Sequence, residues 1–257
     1  MYIKKKDLLL PKRKSDSIKG DNGKILIIGG SENYVGAPAL AGLAALRVGV
    51  DWVTIYTPEK VGWAINSISP DLIVKKAKGK TLTKVHVKEL LELEKKFDVI
   101  LIGNGIGNNK IFIDTYLKKS TARKVIDADA LKYCSIQSIT NSALTPHKKE
   151  FETLLKNSNT TEDKIQEILE NNIILLKGKS DKIITKESTF YNKTGNSYMT
   201  KAGTGDVLAG MLAGFYSQNN DALMSSKLAA YYLGKTAEKL AKKGHFLTSD
   251  LANKIQL

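Results

Sequence analysis

The segment Ala202-Gly203-Thr204-Gly205-Asp206 joins an amide-rich turn to a single carboxylate. Val207, Leu208, Met211, Leu212 and Phe215 follow on one helical face, which sets Asp206 in the first turn of a helix. Glycines there let consecutive backbone N–H groups converge on an anion, assisted by the positive end of the helix dipole. A carboxylate beside such a nest can activate a hydroxyl while the amides hold a phosphoryl group in transfer. Taken alone, the motif fits equally a glycine-capped helix with Asp206 as a first-turn stabiliser.

A second glycine cluster, Gly103-Asn104-Gly105-Ile106-Gly107, follows an apolar run, and Asp127 lies twenty residues beyond it. That resembles a dinucleotide-binding fingerprint, whose acidic residue grips a ribose. The third glycine of the pattern is replaced by Asn108, and the cluster sits in mid-chain. A strand-to-helix turn with positive backbone φ accounts for it better than a hydride-transferring enzyme does.

The elements that must carry these loops alternate along the chain. Lys24–Ile28, Trp52–Tyr56, Phe97–Ile102, Lys124–Ile126, Ile173–Leu176 and Lys182–Thr185 read as strands. Helices are expected from Ala37 to Val48, from Glu59 to Ile65 behind Pro58, over Ile111–Lys119, and through most of the chain after Thr204. The alternation predicts an α/β fold with a mostly parallel sheet, helices on both faces, and ligands at the carboxyl ends of the strands. With no repeat, low-complexity tract or long linker, residues 1–257 read as one domain.

The chain has 257 residues and 40 Lys+Arg against 26 Asp+Glu, a formal net charge of +14. Such a charge suggests nucleic acid, but only Arg13, Arg47 and Arg123 are arginines. Base readout and bidentate phosphate clamps favour arginine's planar fork, so the lysines read as a solvated surface and no nucleic-acid partner is expected. The single Cys134 excludes a disulfide framework, and the amino terminus lacks a signal peptide's apolar region. Arg47 and Asp51 interrupt the longest apolar-leaning stretch, so no membrane association is expected and the cytoplasm is the expected location.

Several motifs in one order make the chain resemble the ADP/ATP-dependent NAD(P)H-hydrate dehydratases, a ribokinase-like family of metabolite-repair enzymes. They include Ile28-Gly-Gly-Ser31, Gly36-Ala-Pro38, Gly103–Gly107, Val125–Leu131, Leu144–Phe151, Leu176-Lys-Gly178, Asn192–Asn196, Gly203–Gly210 and Thr248–Leu251. The resemblance implies a single ribokinase-like domain that phosphorylates the C6 hydroxyl of hydrated NADH or NADPH and eliminates phosphate. It implies ADP (or ATP) as phosphoryl donor, with ADP preferred, together with Mg2+ and a homotetramer. Residue by residue, it implies Asp206 as the catalytic base and Gly203, Thr204 and Gly205 as the anion hole. Lys177, Gly178, Lys179, Ser180, Asp181 and Gly205 match nucleotide-binding positions. Ala37, Gly105, His147 and Asp206 match positions contacting the hydrated dinucleotide, and Glu150 is the candidate to hold the metal through water.

Three positions depart from that pattern: Lys148-Lys149 replaces Pro-Gly, Ala202 a glycine, and Asn104 a common proline. With little chain before Lys24, the stand-alone form without an epimerase domain is expected. A thiazole or hydroxymethylpyrimidine kinase of the same superfamily is the alternative, and a lysine-rich nucleic-acid binder a distant third. Asp129 is expected to cap the helix at Ala130–Tyr133, Cys134 to fill core space, and His86 and His245 to be structural or exposed.

Overall fold

The apolar run Lys24–Ile28 forms β1, an interior strand of a nine-stranded sheet in a computed structural model that describes residues 1–257. The other strands are β2 (Trp52–Pro58), β3 (Ile73–Ala77), β4 (Val99–Ile102), β5 (Lys124–Ile126), β6 (Ser142–Leu144), β7 (Ile173–Leu176), β8 (Asp181–Ile184) and β9 (Thr189–Asn192). Their order is β3-β2-β1-β4-β5-β6-β7-β8-β9, parallel from β3 to β7 and antiparallel through β8 and β9. The chain therefore leaves β1 toward β2 and β3, then returns to β1's other side as β4. That reversal opens a crevice outside the carboxyl ends of β1 and β4.

Both faces of the sheet are buried, which is why the central strands are continuous apolar runs rather than alternating ones. Ile25, Ile27, Val53, Val99 and Leu101 face a layer made of α1 (Gly36–Arg47), α2 (Glu59–Ile68), α6 (Thr204–Asn219), α7 (Ala222–Ala241) and α8 (Thr248–Asn253). Leu26, Ile28, Tyr56, Ile100 and Ile102 face α3 (Val87–Glu94), α4 (Lys110–Lys119) and α5 (Lys148–Asn157). In the first layer α1 and α6 press together through small residues. A Cβ on Gly210 would lie 2.1 Å from the Ala41 carbonyl oxygen, so only glycine permits this crossing. That contact anchors the helix that carries Asp206.

The expected strands are all present, with ends shifted by a few residues. Three others, β3, β6 and β9, were not legible in the pattern. Each is short and carries polar residues, so its strand state comes from its neighbours in the sheet. No helix is long and apolar enough to cross a membrane.

Many lysines of the basic surface are paired with nearby acids, among them Lys75–Glu89, Lys118–Asp114, Lys182–Glu162 and Lys186–Glu170. Such exposed pairs contribute little stability, but they break the positive surface into separated charges.

Candidate active site

Parallel register lines up the residues that leave successive strands. Ile102 of β4 is level with Ile28 on one side and Ile126 on the other, and Ile126 with Leu144. The Gly103 amide donates to the Ile28 carbonyl, Asp127 to Ile102, Thr145 to Ile126 and Lys177 to Pro146. The carboxyl edge thus presents Gly29-Gly30, Gly103-Asn104, Asp127, Thr145 and Lys177 as one terrace. Gly103, at φ +125°, is forced into place: a Cβ there would sit 1.8 Å from the Asp127 carbonyl oxygen.

On this terrace Asp127 is the hub. Its Oδ1 accepts from the Thr145 hydroxyl at 2.7 Å and from Lys177 Nζ at 3.0 Å. Its Oδ2 accepts from Asn104 Nδ2 at 3.0 Å, and the same nitrogen donates to Asp206 Oδ1 at 2.7 Å. Asp127 and Asn104 are buried. With its carboxylate spent on three side chains, Asp127 is not free to grip a ribose. Gly103, Gly105 and Gly107 all take positive φ, as the tight-turn reading of this cluster requires.

Asp206 arrives from the opposite direction, in the first turn of α6. Gly203 precedes that helix in the left-handed region, at φ +89°. The amides of Gly205 and Asp206 find no backbone acceptor, as expected of a helix's first turn; that of Asp206 turns to its own carboxylate and that of Gly205 remains available to an anion. Burial raises the pKa of Asp206 to about 6, and the charge of Asp127 adds to that shift. The Asn104 hydrogen bond and the Lys177 ammonium oppose it. A carboxylate near pH 6 is matched to base catalysis at neutral pH.

Lys177 lies between the acids, 3.0 Å from Asp127 and 3.8 Å from Glu150. Burial alone would lower its pKa, but the charges of Asp127 and Glu150 outweigh that and hold it above the ordinary lysine range. A Cβ on Gly205 would lie 3.3 Å from its Nζ, so the expected nucleotide position Lys177 and the expected anion hole are neighbours. The adjoining β7–β8 turn is self-bonded: Asp181 accepts from the Gly178 amide and from Asn192, and Ser180 donates to the Asn192 carbonyl. Lys179 is exposed on that turn.

Ala37 and Gly105 meet at the other side of the crevice, where a Cβ on Gly105 would lie 3.2 Å from that of Ala37. His147 and Glu150 form a capping box at the start of α5. His147 Nδ1 accepts from the Glu150 amide, and Glu150 accepts from the His147 amide at 2.8 Å. Burial raises the Glu150 pKa, against the opposing charge of Lys177. No cluster of three or more His, Cys, Asp or Glu side chains is spaced to hold a metal ion. The donors present suit a magnesium ion held by nucleotide phosphates and water, with Glu150 reached through a water molecule, rather than a protein cage.

Four buried side-chain polar atoms lack a partner: Thr57 Oγ1, Asn104 Oδ1, Thr204 Oγ1 and Asn219 Nδ2. Asn104 lies in the loop after β4 and Thr204 opens α6, both at this site, and Thr57 lies near the end of β2 against Gly30. Sequence reading missed Asn104, Asp127 and Thr145 as a connected set. The replacement of a common proline by Asn104 was the only local signal.

Asp129 is a correction. It does not cap its own 3-10 helix, Ala128–Tyr133; its carboxylate accepts from the Gly107 amide at 2.8 Å and pairs with Lys132. Cys134 is buried, with burial pushing its thiol up to about 12. His86 is buried between the Thr83 amide and the Lys78 carbonyl, and the exposed His245 lies against the Tyr198 ring.

A doubly wound sheet with a half-buried carboxylate in the first turn of a helix above the strand ends is a ribokinase-like architecture. In the solved structure of the ADP/ATP-dependent NAD(P)H-hydrate dehydratase from Bacillus subtilis, co-crystallised with ATP/Mg2+, the same architecture recurs. The TM-score is 0.79 at 27% identity, over 96% of this chain and 92% of that one. A family model described as NAD(P)H-hydrate dehydratase matches residues 25–257, and the chain belongs to that family. It is 43% identical over 254 residues to the bifunctional NAD(P)H-hydrate repair enzyme Nnr of Methanocaldococcus jannaschii, covering 96% of this chain and 50% of that protein. It is 36% identical to the ADP-dependent (S)-NAD(P)H-hydrate dehydratase of Nitrosopumilus maritimus, covering 93% of this chain and 89% of that protein. The chain spans about half the length of the first curated relatives it matches.

Proposed function

We propose that this chain is an ADP-dependent (S)-NAD(P)H-hydrate dehydratase. One observation carries the reading: a half-buried carboxylate with a pKa near 6 stands in the first turn of α6, beside a Gly205 amide with no backbone acceptor. Hydroxide is a poor leaving group and phosphate a good one, so transfer machinery can drive a dehydration. Asp206 takes the proton from the C6 hydroxyl of the hydrated nicotinamide. The hydroxyl oxygen forms its bond to the terminal phosphorus of ADP as that phosphorus parts from the bridging oxygen, leaving AMP. The amides of Gly203 and Gly205 bear the charge that spreads over the phosphoryl oxygens, and that of Thr204, which donates to the Lys201 carbonyl at 3.4 Å, joins them by giving up that bond. The ring nitrogen's electron pair then expels phosphate from C6 and the neighbouring carbon gives up a proton, restoring the double bond.

In this reading Lys177, Gly178, Lys179, Ser180, Asp181 and Gly205 hold the nucleotide. Ala37, Gly105 and His147 line the dinucleotide side, where a side chain on Gly105 would press on Ala37. Magnesium, reached from Glu150 through water, would offset phosphate charge when bound. A single dehydratase domain, a homotetramer and the cytoplasm complete the proposal; light scattering on the purified protein tests the assembly. The relative named as ADP-dependent supports ADP over ATP.

The deciding measurement is incubation of NADHX and NADPHX with ADP or ATP, following the near-ultraviolet absorbance of the reduced nicotinamide. Recovery of that absorbance with release of AMP and phosphate is expected with ADP. A phosphorylated product that never regains the absorbance would mark a small-molecule kinase instead. No reaction, with salt-sensitive nucleic-acid binding, would point to the third reading.

A further inference from the structure

Asn104 carries a side-chain amide in the loop after β4, and that amide is wholly enclosed. Both protons of its Nδ2 are committed, one to Asp127 Oδ2 at 3.0 Å and the other to Asp206 Oδ1 at 2.7 Å. Rotating the amide would turn its oxygen toward two carboxylates, so its orientation is set. Its Oδ1 meanwhile has no donor. A buried amide oxygen left unpaired disfavours the folded state, so stability does not explain why an asparagine stands here. What the amide does is join β4's loop to the ends of β5 and α6 in one chain, Lys177–Asp127–Asn104–Asp206.

We infer that Asn104 is a positioning residue for the base: it fixes Asp206 by Oδ1 and leaves Oδ2 as the oxygen that meets the substrate hydroxyl. The inference rests on the reading of Asp206 as the base. No side chain bonds Asp206 Oδ2, so the abstracted proton has one place to go. The tether also sets the charge environment. Asp127 at the end of β5 and Lys177 at the end of β7 both act on Asp206, while Glu150 of α5 acts on Lys177. The Asn104 N–H favours the ionised base, and proline or leucine at this position would remove that donor.

The test is a carbon-13 carboxylate NMR titration of Asp206 in the full chain, alongside kcat and KM for ADP. In Asn104→Leu, similar in size but without the amide, the Asp206 midpoint rises by about one unit from its wild-type value. At neutral pH kcat falls about 30-fold, while KM for ADP changes less than about 3-fold. Asp127→Asn removes the neighbouring negative charge and moves the midpoint downward. Midpoint and kcat within error of wild type in Asn104→Leu would overturn the inference. If that variant does not fold, Asn104→Ser, which is smaller and lacks the amide, decides, and a midpoint unchanged from wild type overturns it. Should wild type fail to turn over NADHX with either nucleotide, the proposed function fails, while the midpoint displacements still report on the tether.

Discussion

Strand β5 is three residues long, and a buried charged cluster sits at each of its ends. At its start, Lys124 donates to the carbonyls of Ser120 at 3.1 Å and Ala122 at 2.6 Å. Nearby, buried Glu94 accepts from the Ser120 hydroxyl at 2.8 Å and from the Tyr116 hydroxyl. Just past the strand's other end, Asp127 joins Lys177, Thr145, Asn104 and Asp206. The first cluster is buried and the second is half open at Lys177 and Asp206, yet both displace pKa values: Lys124 falls to about 8 by burial, against the charge of Glu94, and Asp206 rises to about 6. They differ in what they leave unspent. The Lys124 cluster has no buried side-chain polar atom left orphaned, whereas the Asp127 cluster keeps an orphaned amide oxygen on Asn104 and an orphaned Thr204 hydroxyl beside the free Gly205 amide. A perturbed pKa therefore does not mark a site by itself; unspent hydrogen-bonding capacity at the open edge of the sheet does.

The contrast is sharpest under mutation. Asp206→Asn removes the base and is expected to lower turnover of NADHX by about 10³-fold or more, with ADP binding retained in calorimetry. Turnover within a few fold of wild type would refute the assigned role. Glu94→Ala should do the reverse. It strands the Lys124 charge and two hydroxyls, costing about 3 kcal/mol in chemical denaturation, with kcat unchanged. A loss of kcat without a loss of stability would erase the distinction between the clusters.

Linkage supplies a subtler test. The folded pKa of Asp206, about 6, lies above its ordinary 3.8, so its favourable contribution to stability is full below the unfolded value and lost as pH rises through the folded one. Asp206→Asn should therefore be more stable than wild type by about 2 kcal/mol near pH 8, the gap closing toward about pH 4. Lys124 carries the opposite slope: its folded pKa is depressed, so the wild type gains stability as pH rises from about 8 toward 10.5. Denaturation midpoints across this range check both signs. The smallest effect is expected at the rim, where Lys148 and Lys149 are exposed in the first turn of α5. Replacing both by alanine should raise KM for ADP about 3-fold at low salt, and the difference should vanish at high ionic strength.

The two clusters also divide what could be read beforehand. Ile25–Ile28 announced β1 because burial on both faces leaves an unbroken apolar run, and the spacing after Asp206 announced α6. Strands β3, β6 and β9 gave no such sign, being short and partly polar. Lys124 looked like any other lysine of a basic chain, because nothing in its local pattern states that its ammonium is enclosed. Asp127 was legible as a residue in a motif but not as a hub, and Asp129 was assigned to the wrong turn.

From local pattern alone came the parallel α/β architecture, the amide-rich turn and its carboxylate, since helical and strand periodicity and the demands of positive φ act over a few residues. The ordered motifs added the family. The connection among the functional groups belongs to the tertiary structure. Asn104 and Asp206 are 102 residues apart and Asp127 and Lys177 are 50 apart. They meet because parallel register brings the ends of β4, β5 and β7 level and the Gly210 crossing seats α6 above them. A pKa near 6 at Asp206 follows only then, because burial and neighbouring charge are properties of the assembled site and not of any segment of the chain.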